Sequence, residues 1–168
     1  TGSTFSIGRL KELARIARRY RVVLLSDEIY GELHHKGQHV SIARFYPEGT
    51  IVSGGLSKWC GAGGWRLGVF AIPPSLDWLQ DALAAVASET FTSTSAPIQY
   101  AAVRAFEGGP DIDDYLRRCR AILAVLGATL AARLRAEFPG TLVHAANSAA
   151  LISDPATHFD LVRPGVAV

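Results

Sequence analysis

Over residues 7–20 the apolar positions recur with a helical period. Ile7, Leu10, Leu13, Ala14 and Ala17 share one face, while Arg9, Lys11, Glu12, Arg15, Arg18 and Arg19 lie mostly off it. That is the pattern of a surface helix with one buried stripe, and Ser3, Thr4 and Ser6 offer caps for its start. Residues 21–26 follow as a short apolar run without alternation, which predicts a strand buried on both faces. A helix feeding directly into such a strand points to a layered α/β domain with a parallel sheet.

Residues 31–49 are polar, punctuated by Gly31, Gly37, Pro47 and Gly49, and read as an extended connection. A second short strand is predicted at 50–53. The stretch 54–64 carries Gly54, Gly55, Gly61, Gly63 and Gly64 and reads as a loop. Residues 66–72 make a third strand, stopped by Pro73-Pro74. Helices are predicted at 75–87, 96–107 and 112–137, the last rich in Ala and Leu. Two short β-like runs, 141–145 and 149–153, precede the end. The long helix divides the chain near residue 112, with a larger αβ domain before it and a smaller domain after.

Composition narrows the class. The chain has 168 residues, 49% of them apolar and 19% charged, enough for one globular domain with a core. Net charge is +2, and its 14 Arg and 3 Lys form no basic block, so nothing suggests a nucleic-acid arm. No apolar run is long enough to cross a bilayer, and Thr1–Thr4 lacks the features of a signal peptide. Cys60 and Cys119 make neither a disulfide framework nor a metal knuckle. A soluble, cytoplasmic protein is expected. There is no Met, which suggests that the chain begins inside a longer protein.

Three clusters carry the candidate chemistry: Ser26-Asp27-Glu28-Ile29-Tyr30, Ser57-Lys58, and Gly64-Trp65-Arg66-Leu67-Gly68. Each falls where a strand meets a loop, the place where open α/β sheets bind ligands. A sheltered lysine amine condenses with aldehydes. Taken alone, Lys58 is more simply a solvated lysine on a flexible loop, Asp27 a turn former, Glu28 a surface group and Trp65 a core residue. His34, His35 and His39 lack the register of a metal site. Ser53 and Ser57 lack a His placed as base.

In combination, Asp27-Glu-Ile-Tyr30, Ser57-Lys58 and Gly64-Trp-Arg66-Leu-Gly68 resemble the class I/II aminotransferases, pyridoxal-phosphate (PLP) enzymes with an aspartate-aminotransferase-like fold. Arg66 stands eight positions after Lys58, the family's spacing, and the resemblance runs from Leu10 to Phe106. It implies an α/β fold: residues 1–111 as part of the PLP-binding large domain with a mainly parallel sheet, and 112–168 as linking helix and truncated α+β small domain. It implies PLP as cofactor, with Lys58 as Schiff-base lysine and proton shuttle. Asp27 would pair with the pyridine nitrogen, Tyr30 would donate to the phenolic oxygen, and Arg66 would grip the phosphate. The substrates implied are an amino acid and a 2-oxo acid, and the whole parent protein is expected to be a homodimer.

The sequence departs from the family where a phosphate-binding Ser is frequent three positions before the lysine. Gly55 stands there, and Ser57, or less well Ser53, is the available substitute. The family's N-terminal phosphate loop, ring-stacking aromatic and Asn have no counterpart before Thr1, and the chain stops before the substrate-carboxylate Arg. A central piece of an aminotransferase is therefore expected, with sheet edges and apolar helix faces exposed. Three other readings stay open: a PLP lyase or synthase on the same fold, an aminotransferase-like effector domain of a transcription regulator, and a remnant without activity.

Overall fold

The computed structural model describes residues 5–34 and 38–140. Residues 1–4, with the cap candidates Ser3 and Thr4, residues 35–37, with His35 and Gly37, and everything after Gly140, including the β-like runs at 141–145 and 149–153, lie outside the described residues. The chain divides into two compact units: Phe5–Gly31 with Val40–Gly109, and the described parts of Glu32–His39 with Pro110–Val168.

The first unit starts with helix α1 (Ile7–Tyr20). Ser6 caps it, its side chain accepting from Arg9 N at 3.3 Å, and this satisfies one of the free amides of the first turn. At the other end Arg21 adopts the left-handed conformation and Val22 N donates to Ala17 O at 2.9 Å, a Schellman closure without the usual glycine. Of the apolar stripe, Leu10, Ala14 and Ala17 are buried, whereas Ile7 and Leu13 stay exposed. The two small residues bring the helix backbone close to the turn at 42–46, so that Leu10, Ala14, Ala17, Ile42 and Tyr46 form one core, flanked by Leu24, Val40 and Phe45.

Three strands follow: β1 (Leu24–Asp27), β2 (Thr50–Gly55) and β3 (Gly68–Ala71), hydrogen-bonded in that order. β1 and β2 are parallel, with Leu24 opposite Thr50 and Asp27 opposite Ser53. β3 runs antiparallel to β2, with Gly55 opposite Gly68, so the sheet is mixed. Gly54 and Gly55, assigned to a loop on composition, finish β2 instead. The connection between β1 and β2 is not extended throughout. It contains 3₁₀ turns at Gly31–Leu33, Ile42–Arg44 and Pro47–Gly49. β1 is not buried on both faces: Leu25 is 64% exposed, because only one side of the strand meets the α1 core. All four residues of β3 are exposed.

Helices α2 (Asp77–Thr90) and α3 (Ala96–Glu107) complete the first unit. α2 buries none of its residues, and Trp78, Val86 and Tyr100 are among the large apolar side chains left open to solvent. In the second unit α4 (Pro110–Glu137) is the longest helix of the described residues. Arg120 on it donates twice to Glu32 O, at 2.8 and 2.6 Å. Among the described residues no helix is long and apolar enough to cross a membrane.

The connection between α1 and β2 is pinned from outside by Arg18. Its guanidinium meets both carboxylate oxygens of Glu48 at 2.5 and 3.0 Å, donates to Phe45 O at 2.8 Å, and lies 5.0 Å from the Tyr46 ring centre. The hydrogen bond to Arg18 is the main cause holding the Glu48 carboxyl below its usual value of 4.5. A carboxyl that titrates lower in the folded state adds stability above its unfolded pKa and loses it as pH falls through the folded one. Thermal melts taken from about pH 6 down to about pH 3 should therefore drop more steeply for this chain than for Glu48→Gln.

A second constraint lies beneath that pair. A methyl group on Gly49 would run into the ring of Tyr46, which is buried and cannot swing away. Gly49→Ala should cost about 1–3 kcal/mol by denaturant titration, the range for overpacking a tight site.

Candidate functional site

The strand directions decide where the candidate residues lie. β1 and β2 are parallel, so their carboxyl ends share one edge of the sheet. β3 is antiparallel, so its amino end reaches the same edge. Asp27 closes β1, Ser57 and Lys58 follow the end of β2, and Arg66 precedes the start of β3. Groups 27, 58 and 66 in the chain are thus brought to a single edge by register alone.

Asp27 is exposed, and its Oδ1 accepts from Ile29 N at 3.2 Å, a local turn of the kind aspartate favours. Gly31 N donates to Glu28 O at 2.8 Å and closes the turn. The half-buried Tyr30 is thereby directed toward Lys58, whose Nζ lies 5.8 Å from the Tyr30 ring centre. An ammonium at that distance is attracted by the ring face.

Lys58 itself is exposed, yet its loop is anchored on both sides. Leu56 is only 1% exposed and Trp59 is buried, with its ring edge-on to Phe106 at 5.7 Å. Backbone bonds tighten the turn: Gly61 N donates to Lys58 O at 3.3 Å and Ala62 N to Leu56 O at 3.1 Å. Gly61 takes φ 65°, a conformation that glycine adopts without strain. Lys58 is thus solvated, as a surface lysine would be, on a loop that Leu56 and Trp59 anchor. Ser57, beside it, is half-buried.

Arg66 is exposed, sits at φ 56°, and donates from Nη1 to Gly63 O at 2.9 Å. That bond folds the side chain over the glycine turn before β3. Trp65 is about half exposed rather than a core residue. Glu28 also differs from the solvated surface group that its neighbours suggested. Its Oε1 accepts from Ser26 Oγ at 2.9 Å and Ser41 Oγ at 2.6 Å. Leu56 and Trp59 were not among the candidate residues, and Glu28 stood in a candidate cluster only as a surface group. An apolar residue on each side of a Ser-Lys pair was the one available hint for the anchors.

Burial raises the pKa of the Cys60 thiol, which lies in this loop. A separate open groove of about 710 Å³ lies between β3 and α3, lined by Leu67, Val69, Gln99, Val103 and Phe106 among others. None of the five candidate residues lines it.

With the geometry in place, similarity to known proteins gives the family. The profile of the class I and II aminotransferases matches residues 1–155. The chain belongs to that family. An aspartate aminotransferase of Geobacillus stearothermophilus is 33% identical over 122 residues, covering 70% of this chain and 30% of that protein. An aspartate/prephenate aminotransferase of Thermus thermophilus is 35% identical over 105 residues, covering 62% of this chain and 26% of its own length. The solved structure of Thermus thermophilus aspartate aminotransferase with maleate superimposes with a TM-score of 0.72 at 30% identity, over 81% of this chain and 35% of that one. The fold is therefore the α/β fold of the aspartate aminotransferases. The chain spans about a third or less of the length of these relatives.

Gly55 marks where this aminotransferase chain departs from the frequent serine. A Cβ at position 55 would meet Leu67 O at 2.6 Å and the Cα of Gly68 at 3.2 Å. Both are backbone atoms of the junction into β3, so a side chain can enter only if the β2–β3 pair moves. Gly55→Ser should therefore not act as a simple restoration. It should lower stability by about 1–3 kcal/mol in denaturant titration, the scale of overpacking against a backbone that cannot yield.

Proposed function

We propose that this chain is the cofactor-bearing part of a PLP-dependent aminotransferase, which moves an amino group between an amino acid and a 2-oxo acid. The observation that carries the reading is the meeting of Asp27, Lys58 and Arg66 at one sheet edge, with the Lys58 amine beside the Tyr30 ring. The donor set suits pyridoxal phosphate: an amine for the aldehyde, a carboxylate for a pyridinium, a phenol for the ring oxygen, and a guanidinium and a hydroxyl for the phosphate. The bound cofactor would supply the electron sink that lets a Cα–H bond break.

In this reading Lys58 holds the cofactor and then carries the proton that leaves the substrate Cα. Asp27 keeps the ring nitrogen protonated by charge pairing. Tyr30 donates its hydroxyl to the phenolic oxygen. Arg66 and Ser57 take the phosphate, Arg66 through its planar fork. The domain reading goes with it: residues 1–111 contribute to the large domain, and 112–168 form the linking helix and part of the small one. The whole protein would act as a cytoplasmic homodimer on small molecules.

The test starts with the purified chain and PLP. A near-visible absorption band should form, and borohydride should fix the cofactor to Lys58, where peptide mass spectrometry finds it. Lys58→Ala should lose both. A folded chain that takes no label at Lys58 would overturn the reading. The phosphate role is checked by titration: Arg66→Ala should weaken PLP binding about 10- to 100-fold, the loss of charge-assisted hydrogen bonds. Arg66→Lys should recover only part of it, because a point charge cannot reproduce the fork.

A further inference from the structure

Glu28 is the one charged group of the 27–30 turn to which the reading above gives no task, and it links that turn to the core. Its Oε1 accepts from Ser26 Oγ on β1 at 2.9 Å and from Ser41 Oγ at 2.6 Å. Ser41 Oγ in turn accepts from Ala43 N at 3.1 Å, capping the Ile42–Arg44 turn. Ile42 is buried against α1 with Leu10, Ala14 and Tyr46. On the backbone side, Glu28 N donates to Ser53 O of β2 at 2.8 Å and Gly31 N donates to Glu28 O at 2.8 Å. A continuous path therefore runs from the packed core, through Ser41 and the Glu28 carboxylate, to the turn that carries Asp27 and Tyr30.

We infer that Glu28 is a positioning residue for the cofactor site: without touching the cofactor, its carboxylate ties the Asp27–Tyr30 turn to the α1 core and so fixes where the Asp27 carboxylate and the Tyr30 hydroxyl point. The inference rests on the PLP reading above and adds a residue to it. The physical basis is that hydrogen bonds to a carboxylate are stronger than those between neutral groups, and these are half-buried, so water competes less for them. A short turn without such a tie samples several conformations, and groups that must meet a ring nitrogen and a ring oxygen together lose much of their effect when displaced by about 1 Å.

The experiment compares the unaltered chain with Glu28→Ala, Glu28→Gln and Ser41→Ala by three readouts. These are amide hydrogen exchange at Gly31 and Ala43 without cofactor, the Kd for PLP, and the pH profile of the near-visible band of the bound cofactor. Glu28→Ala should speed exchange at both amides, weaken PLP about tenfold and displace the pH profile, while Lys58 is still labelled at saturating PLP. Glu28→Gln keeps an acceptor oxygen and should stay within about threefold of the unaltered chain; Ser41→Ala should fall between the two in Kd for PLP, while exchange at Ala43, which loses its own acceptor, should be at least as fast as in Glu28→Ala. Faster exchange with unchanged Kd and pH profile would make Glu28 merely structural and overturn the inference. So would exchange that does not change in Glu28→Ala. If the unaltered, folded chain takes no label at Lys58, the PLP reading itself falls and this inference with it. A labelled chain with an inert Glu28 sinks the inference alone.

Discussion

Everything about the site depends on the parallel pairing of β1 with β2. The register sets Asp27 opposite Ser53, so the carboxylate at the end of one strand and the lysine after the other open on the same edge. Had the strands been antiparallel, the two groups would lie at opposite ends of the sheet, roughly a strand length apart. The antiparallel β3 then serves the same edge from the other direction, because its start rather than its end lies there. Three segments distant in sequence become neighbours through backbone hydrogen bonding before any side chain contributes.

What the sheet brings together, a few buried residues hold still. Leu56 and Trp59 flank the Ser57-Lys58 pair and sink into the protein, leaving the lysine amine outside on a short, braced turn. Glu28 does the corresponding work for Asp27 and Tyr30 by joining their turn to the Ser41 cap and the α1 core. In both cases the chemically interesting group is exposed or half-buried, and its immediate neighbour in sequence supplies the rigidity. Catalytic arrangements need this division, since a group that must meet a ligand cannot also be packed away. The same first unit leaves large apolar side chains of β3 and α2 open to solvent, among them Val69 and Phe70 of the strand and Trp78 and Val86 of the helix.

Much of the secondary structure was legible in the chain because local physics dictates it. The 3.6-residue period gave α1 its bounds at Ile7 and Tyr20, and α3 was read correctly from residue 96 to 107. Helix bounds shifted by two or three residues, 75–87 becoming Asp77–Thr90 and 112 becoming Pro110, and one strand boundary was set by pairing: Gly54 and Gly55 extend β2 because Val69 and Gly68 of β3 lie opposite them. Glycine content predicted a loop there, and the close approach of Leu67 O to Gly55 explains why glycine is needed in a strand. The exposure of Leu25 was equally hidden, since an apolar run shows what could be buried and not what covers it.

By itself, then, the sequence determined the class of fold, the family and the five residues worth testing, because residue types at fixed spacings reflect chemistry that few arrangements can perform. Tertiary structure alone decided the antiparallel direction of β3, the anchoring of Lys58 by Leu56 and Trp59, and the use of Glu28 as a tie rather than a surface charge. These depend on contacts between segments far apart in the chain, such as Glu28 with Ser41 and Gly55 with Leu67. No local pattern records such a contact, since each partner alone is compatible with many others, and only the packed sheet and core choose among them.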